Sequence, residues 1–356
     1  MTGSDLTILT TGAGAPGARS IFKALRAGCR AESRNLRLIT CDMDNEAYGF
    51  HLSDKNYIVP AGGDPSFIDT ILEICRIEKP DLLFSWVDPE LLNLANHKHR
   101  IEKLGTKVVI SEPNVIENCI NKSRSYEIAS GLGLTPNFVI VEDQKDFEKA
   151  VQNLGYPQKP VCFKPIHGHG GRGFRILQPN ANRAELLFTE KPNSTITSLE
   201  DVLNVFSDIH LPNLMVMEYL PGKEYTVDML IYNGEPIVTI PRERARVKLG
   251  ISNIAKLERN EQVISAAEAV ARALGLNYNA NIQFKLDGKA NPKLIEVQPR
   301  LAGTTAAVIG AGANLPWLAA KLALGESLPQ MDIKWDTVMK RFLEEVYTDG
   351  SYSWFL

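Results

Sequence analysis

"NIQFKLDGKANPKLIEVQPR", Asn281 to Arg300, reads as two strands joined by a turn rich in Asp, Gly and Asn. Successive side chains of a strand point to opposite faces. Asn281, Gln283 and Lys285 therefore share one face, and Ile282, Phe284 and Leu286 share the other. On the second strand Glu296, Gln298 and Arg300 lie opposite Val297. If the two strands pair, their polar faces meet, and Gln283, Glu296 and Gln298 gather beside Arg300. One carboxylate and two amide oxygens suit Mg2+ (or Mn2+), a hard cation that keeps several waters and takes further ligands from phosphates. The guanidinium would grip a phosphoryl group or a carboxylate through two parallel hydrogen bonds. The same alternation also builds the solvated face of an ordinary hairpin. The strand "EYTVDMLIY" favours a lined cavity instead, because Glu224, Thr226 and Asp228 share a polar face as well.

Upstream, the chain alternates short strand-like runs with amphipathic helical ones: "LTILTT", a helix over Gly17–Ala27, "LRLITC", "YIVP", "SFIDTILEICRIE", "DLLFSW", a helix after Asp88 and "KVVI". That rhythm predicts a parallel, doubly wound sheet ending near Ser111. Helical segments around Lys122 and Ala129, the strand "NFVIVED" and a helix from Gln144 follow. From Leu214 strands succeed one another directly, so the fold class changes to α+β with an antiparallel sheet. The boundaries read as 1–111, 112–213, 214–330 and a tail 331–356 whose aromatics suit packing on the body or on a second subunit, as in a homodimer. "FTEKPNSTITS" (Phe188–Ser198) reads as a mobile loop.

With 356 residues, 44% of them hydrophobic, the chain has material for two or three cored domains. A formal charge of −3 supplies no basic field, which argues against nucleic acid or an anionic membrane as the main partner. Five cysteines, an odd number without a Cys-x-x-Cys pair, read as reduced core thiols of a cytoplasmic protein. The N-terminus has no signal-peptide pattern, and no apolar run approaches the ~18 residues a membrane span needs.

Two glycine clusters stand out. "TTGAGAPGARS" (Thr10–Ser20) follows the first strand and opens a helix, with Asp42 and Asp44 after the second strand, as in a dinucleotide site. Its spacing departs from that fingerprint at Pro16-Gly17. In "FKPIHGHGGRGFRIL" (Phe163–Leu177), Gly168, Gly170, Gly171 and Gly173 exceed what a hairpin turn requires. Backbone closing on an anion explains them better.

These motifs, in this order, resemble the ATP-grasp superfamily, and within it a single synthetase half of the carbamoyl-phosphate synthase large chain, from about Leu6 to Leu328. The resemblance implies a Rossmann-like domain followed by two α+β subdomains. It implies Gln283, Glu296 and Gln298 as metal ligands, with Gln298 standing where the family usually has Asn. "VMEYLPGKEYTV" is similar to the family hinge, implying adenine contact around Glu218, Tyr219 and Leu220 and ribose contact by Glu224. Lys122 of "NKSRSYE" and Lys164 of "FKP" resemble the nucleotide lysines. The second glycine cluster would then fold over the phosphates of ATP, and Arg172 would add charge.

The implied activity is phosphorylation of a carboxylate and its joining to an amine, with Arg300, Lys164 and Arg172 serving the transfer by position and charge. Arg242 and Arg244 of "PRERARVKLGISN" would hold the acidic substrate, and basic surface strand is the plain alternative. Asp88 and Glu90 lie at the C-terminal end of a strand, suited either to an amine or to capping the next helix. Two alternatives stand beside this ligase. One is bicarbonate activation, disfavoured by the single synthetase half without a glutaminase. The other is an NAD-dependent oxidoreductase using the first glycine cluster.

Overall fold

The computed structural model describes residues 5–167, 171–182, 184, 188, 195–248, 250–350 and 353–355. Its first strand, β1 (Leu6–Thr11), shows why a parallel sheet forms: Ile8 and Leu9 point to opposite faces and both are fully buried. The helix Ala18–Ala31 returns the chain to β2 (Leu36–Asp42), followed by β3 (Lys55–Ile58), the helix Phe67–Glu78, β4 (Leu82–Phe84), the helix Asp88–Asn96 and β5 (Lys107–Val108). All pairings are parallel and the spatial order is β3-β2-β1-β4-β5. The order reverses between β1 and β4, whose C-terminal ends therefore flank the crevice where such sheets take ligands.

Packing divides the molecule into two units. One comprises the chain up to Cys119, Glu224–Gln283 and everything from Val297; the other comprises Ile120–Lys223 and Phe284–Glu296.

In the second unit β6 (Phe138–Val141), β7 (Val161–Pro165), β8 (Arg175–Leu177), β9 (Ile196–Thr197) and β10 (Leu214–Glu218) form a sheet in the order β6-β10-β7-β8-β9. Only β8 and β9 run parallel. Its helices start on side-chain caps: Asn121 accepts from the Ser123 and Arg124 amides ahead of the helix Lys122–Ser130, and Asp143 accepts from Asp146 ahead of the helix Gln144–Asn153. Phe147, Phe163 and Phe206 meet edge to face at 5.0 to 6.2 Å and fill its core.

The third sheet collects β11 (Glu224–Tyr232), β12 (Glu235–Lys248), β13 (Ile251–Leu257), β14 (Tyr278–Leu286), β15 (Pro292–Gln298) and β16 (Val338–Lys340) in the order β15-β14-β11-β12-β13-β16. Asn233 and Gly234, both at positive φ, turn β11 into β12. The segment from Pro241 is thus largely strand, with irregular register against β13 between Glu243 and Val247. The tail supplies β16 and a short hairpin of β17 (Tyr347–Thr348) and β18 (Ser353–Trp354), and Met331, Ile333, Trp335 and Met339 pack on the core of the first unit.

That core is closed by the helix Leu315–Leu324. Its Trp317 sits so near the helix Ala18–Ala31 that a Cβ at Gly28 would lie 2.2 Å from the indole Cγ. Arg34 and Lys321 extend over the same ring at 6.0 and 5.8 Å, and Lys321 pairs with Glu32 at 2.7 Å. Trp317→Ala should lower stability by about 3–5 kcal/mol, the range for deleting a large buried aromatic. Urea unfolding measures it, and a loss under about 1 kcal/mol would show that this helix contact is dispensable.

Candidate functional site

On the third sheet, Thr226 of β11 stands opposite Arg242 of β12, so Glu224, Thr226 and Asp228 face the same side as Arg242 and Arg244. Arg242 and Asp228 are each 1% exposed, and Arg242 Nε donates to Asp228 Oδ2 at 2.6 Å. Thr305 Oγ1 donates to the other carboxylate oxygen at 3.0 Å. Arg244 pairs with Glu224 at 2.7 Å and donates to the Gly250 carbonyl at 2.9 Å. Arg246, further along β12, is exposed. The sequence offered Glu224 to ribose and Arg244 to an acidic substrate. Here they hold each other.

Arg300 follows β15, and its carbonyl accepts from Asn281 Nδ2 at 2.9 Å. Its Nε and Nη2 fork onto the two oxygens of Asp88 at 2.7 and 2.9 Å, and Nη1 donates to the Leu301 carbonyl at 3.0 Å. The helix Asp88–Asn96 has no side-chain cap, so Asp88 anchors Arg300 and does not cap its own helix. Sequence spacing could not reveal this pair, whose members stand 212 positions apart.

Glu90 lies beside the ends of β1 and β4, where the Thr11 and Ser85 hydroxyls both donate to its Oε2, Ser85 at 2.9 Å. Burial pushes its carboxyl up to about 7, against the pull of the two hydroxyls. The first glycine cluster folds differently from a dinucleotide loop: Ala13 N–H donates to the Cys41 carbonyl at 3.1 Å and Gly14 N–H to Asp42 Oδ2 at 2.7 Å. Asp42 is engaged by the Gly14 amide and the Ala13 amide by the Cys41 carbonyl, contacts that compete with the diphosphate and ribose partners of the NAD reading. Gly17, at φ +98°, is needed for close packing, since a Cβ there would lie 2.7 Å from the Gly303 carbonyl oxygen.

In the second unit Lys164 of β7 is only 7% exposed. Its ammonium donates to the Ile295 carbonyl at 2.8 Å and to the Tyr126 hydroxyl at 3.1 Å, and lies 4.7 Å from the centre of the Tyr126 ring. Tyr126 in turn donates to the Leu294 carbonyl at 2.8 Å. Burial pulls Lys164 down to about 7; Glu296 supports its charge and Lys122 opposes it. The sequence reading missed Tyr126, although it stands four residues after Lys122 on the same helix.

Glu218 closes the end of β10, accepting from Asn137 N–H at 3.0 Å. Leu220 is buried, and Lys285 lies 5.3 Å from the centre of the Tyr219 ring. Gly171 and Gly173 take φ of +72° and +77°, and Arg172 between them is exposed. Gly168 and Gly170 lie outside the described residues.

Gln283 of β14 and Glu296 and Gln298 of β15 are half-buried, while Ile282, Phe284 and Val297 are buried. Among the described residues no group of three His, Cys, Asp or Glu is placed to hold a metal. One carboxylate and two amides make an all-oxygen donor set, whose chemistry suits Mg2+ or Mn2+.

The comparisons place an ATP-grasp domain within this chain. Residues 210–342 match the family described as ATP-grasp in the biosynthetic pathway with Ter operon, and residues 9–109 match the PylC-like N-terminal domain. The chain is 25% identical over 304 residues to the carbamoyl phosphate synthase large chain of Vibrio cholerae and 26% over 317 residues to that of Mycobacterium tuberculosis, matching 82% and 83% of its own length. It spans about a quarter of those relatives, 26% of each. Among solved structures it resembles an N5-carboxyaminoimidazole ribonucleotide synthetase in its ADP complex (TM-score 0.68, 15% identity, 94% of this chain and 80% of that one). It also resembles the L-amino acid ligase of Bacillus licheniformis (TM-score 0.63, 15% identity, 91% and 75%). These likenesses establish the fold. No described helix is long and apolar enough to cross a membrane.

Glu90→Gln tests the buried carboxyl. Because the folded carboxyl titrates above the ordinary value of 4.5, its stabilising protonated form is lost as pH rises through about 7. The variant should match wild type near pH 5 and exceed it by something on the order of 1–3 kcal/mol at pH 8, read by urea unfolding. Equal stabilities at pH 8 would show that Glu90 is not desolvated.

Proposed function

We propose that the chain is an ATP-dependent ligase that phosphorylates a carboxylate to an acyl phosphate and joins it to an amine, releasing ADP and phosphate. The observation that carries this reading is the buried Lys164 ammonium, held by Tyr126 and the Ile295 carbonyl with Glu296 in electrostatic reach. A lysine desolvated this far is costly unless an anion meets it, and a nucleotide phosphate is such an anion.

In this reading Lys122 and Lys164 bind phosphates, and amides of the second glycine cluster with Arg172 cover them. The backbone around Glu218, Tyr219 and Leu220 takes the adenine. Gln283, Glu296 and Gln298 would hold Mg2+, which would supply positive charge against the phosphates. Arg300, kept in place by Asp88, steadies the transferring group, and Arg242 and Arg244 orient the acid. A carboxylate oxygen attacks the γ-phosphorus and ADP leaves; the amine then attacks the acyl carbon, phosphate leaves, and the amine loses a proton. Glu90 is set to receive the amine. The L-amino acid ligase among the structural neighbours supports an amino acid or peptide-like substrate.

The carbamoyl phosphate synthase relatives favour a second reading, activation of bicarbonate. Phosphate release separates the two. The ligase requires an organic acid and an amine together, and turnover on bicarbonate with no organic acid selects the second reading. Mg·ATP should raise the melting temperature while NAD should not. Glu296→Ala should cut turnover by at least about a hundredfold with the fold intact, as loss of a metal-held phosphate contact implies. An active Glu296→Ala enzyme overturns the metal assignment.

A further inference from the structure

Outside the residues assigned to nucleotide and substrate, the first unit contains a cavity of about 360 Å³ where the tail passes over the start of the helix Ala18–Ala31. That volume is at the low end of the range for small-molecule pockets. Its charged lining is Arg19, Lys340, Arg341 and Glu344, three cations to one anion. Glu344 is taken by Arg19 at 2.5 Å, and the Arg19 guanidinium also lies 5.3 Å from the centre of the Phe355 ring.

Of the lining cations without a carboxylate among the described residues, Lys340 is exposed and Arg341 is not. It is half-buried and donates from Nη2 to the Gly303 carbonyl at 2.6 Å, yet among the described residues it has no carboxylate partner. Its Nε–H and that of Arg19 are buried and lack an acceptor among the described residues. Burial and the nearby Arg242 both push the Arg341 pKa below its ordinary value, and the Tyr48 hydroxyl, which donates to the Ala15 carbonyl at 2.7 Å, opposes them. A guanidinium does not shed its proton to escape such a position, so the cost persists until an anion arrives. On the third sheet Arg242 and Arg244 each have a carboxylate, Asp228 and Glu224.

Most of the remaining wall is apolar, with Leu52, Met339, Val346 and Phe355, and Ser20 and Tyr48 add hydroxyls. We propose that this cavity binds a small amphiphilic oxyanion, a phosphate monoester or carboxylate on an apolar body, whose head group bridges Arg341 and Arg19. The guanidinium forks match either head group, and the apolar side chains suit the body of the ligand. A bound anion would also tie the tail to the helix Ala18–Ala31 through Arg341 and Arg19.

Hexyl phosphate, hexanoate and inorganic phosphate test this by calorimetry on the full chain, without nucleotide and at matched chloride. The outcome is therefore separate from that of the ligase reading. At least one hexyl probe should bind saturably and more tightly than inorganic phosphate, and the preferred probe identifies the head group. Arg341→Met should weaken binding by at least about tenfold. Arg19→Met, tested in parallel, should do the same if Arg341→Met fails to fold, while the surface variant Arg272→Met should bind like wild type. No saturation by either hexyl probe up to about 10 mM overturns the site. Unchanged affinity in the folded Arg341 or Arg19 variant does so too, and so does binding of inorganic phosphate with no gain from the hexyl chain.

Discussion

The buried Arg242–Asp228 pair ties β11 to β12 within the third sheet. Both residues are 1% exposed, so both charges have lost their water, and only close geometry offsets that desolvation. The 2.6 Å bond from Nε and the Thr305 hydroxyl supply it. This requirement fixes the register of β11 against β12, because a slip of one residue would turn Asp228 into the core and strand Arg242. Register then places Glu224 beside Arg244, and Thr305 pins the chain that leaves β15 through Arg300. The polar face is therefore a connected set, and loss of either member of the central pair would leave a buried charge alone.

Much of this was legible because strand alternation is a local property. The shared face of Glu224, Thr226 and Asp228, the core side chains Ile282, Phe284 and Val297, and the parallel sheet with its buried Ile8, Leu38 and Leu82 could all be read from neighbours one or two positions away. Alternation assigns a side chain to a face and says nothing about its partner. Arg300 and Asp88, or Lys164 and the Ile295 carbonyl, meet only through the tertiary fold, 212 and 131 positions apart. The glycines of the first cluster were ambiguous for a related reason. Gly12 and Gly17 are demanded by the approach of Val87 and Gly303, and no local pattern distinguishes that need from a phosphate loop. By contrast the Asn233-Gly234 turn is a strong local signal, visible in the sequence alone.

The arginines read as anion clamps are each already held by a carboxylate: Arg242 by Asp228, Arg244 by Glu224 and Arg300 by Asp88. A ligand carboxylate approaching Arg244 or Arg300 therefore meets a neutral pair. Its binding energy is the difference between two carboxylate contacts, and discrimination depends on geometry more than on net charge. For Arg300 the bidentate grip of Asp88 occupies Nε and one Nη2 proton, and Nη1 donates to the Leu301 carbonyl.

Two further groups carry the same logic into proton chemistry. Burial drives Lys164 down to about 7 from 10.5 and Glu90 up to about 7 from 4.5, so the chain has two sites near neutrality without using a histidine. Their stability windows adjoin and do not overlap. Between about 4.5 and 7 the folded Glu90 binds more protons than the unfolded one, and its stabilisation fades as pH rises. Between about 7 and 10.5 the folded Lys164 binds fewer protons than the unfolded one, and stability recovers as pH rises. Neutral pH is thus where the ligand-free chain bears the largest combined cost of these two groups. A phosphate at Lys164 or an ammonium at Glu90 removes the corresponding cost directly, so free energy withheld from folding near neutral pH becomes available to binding.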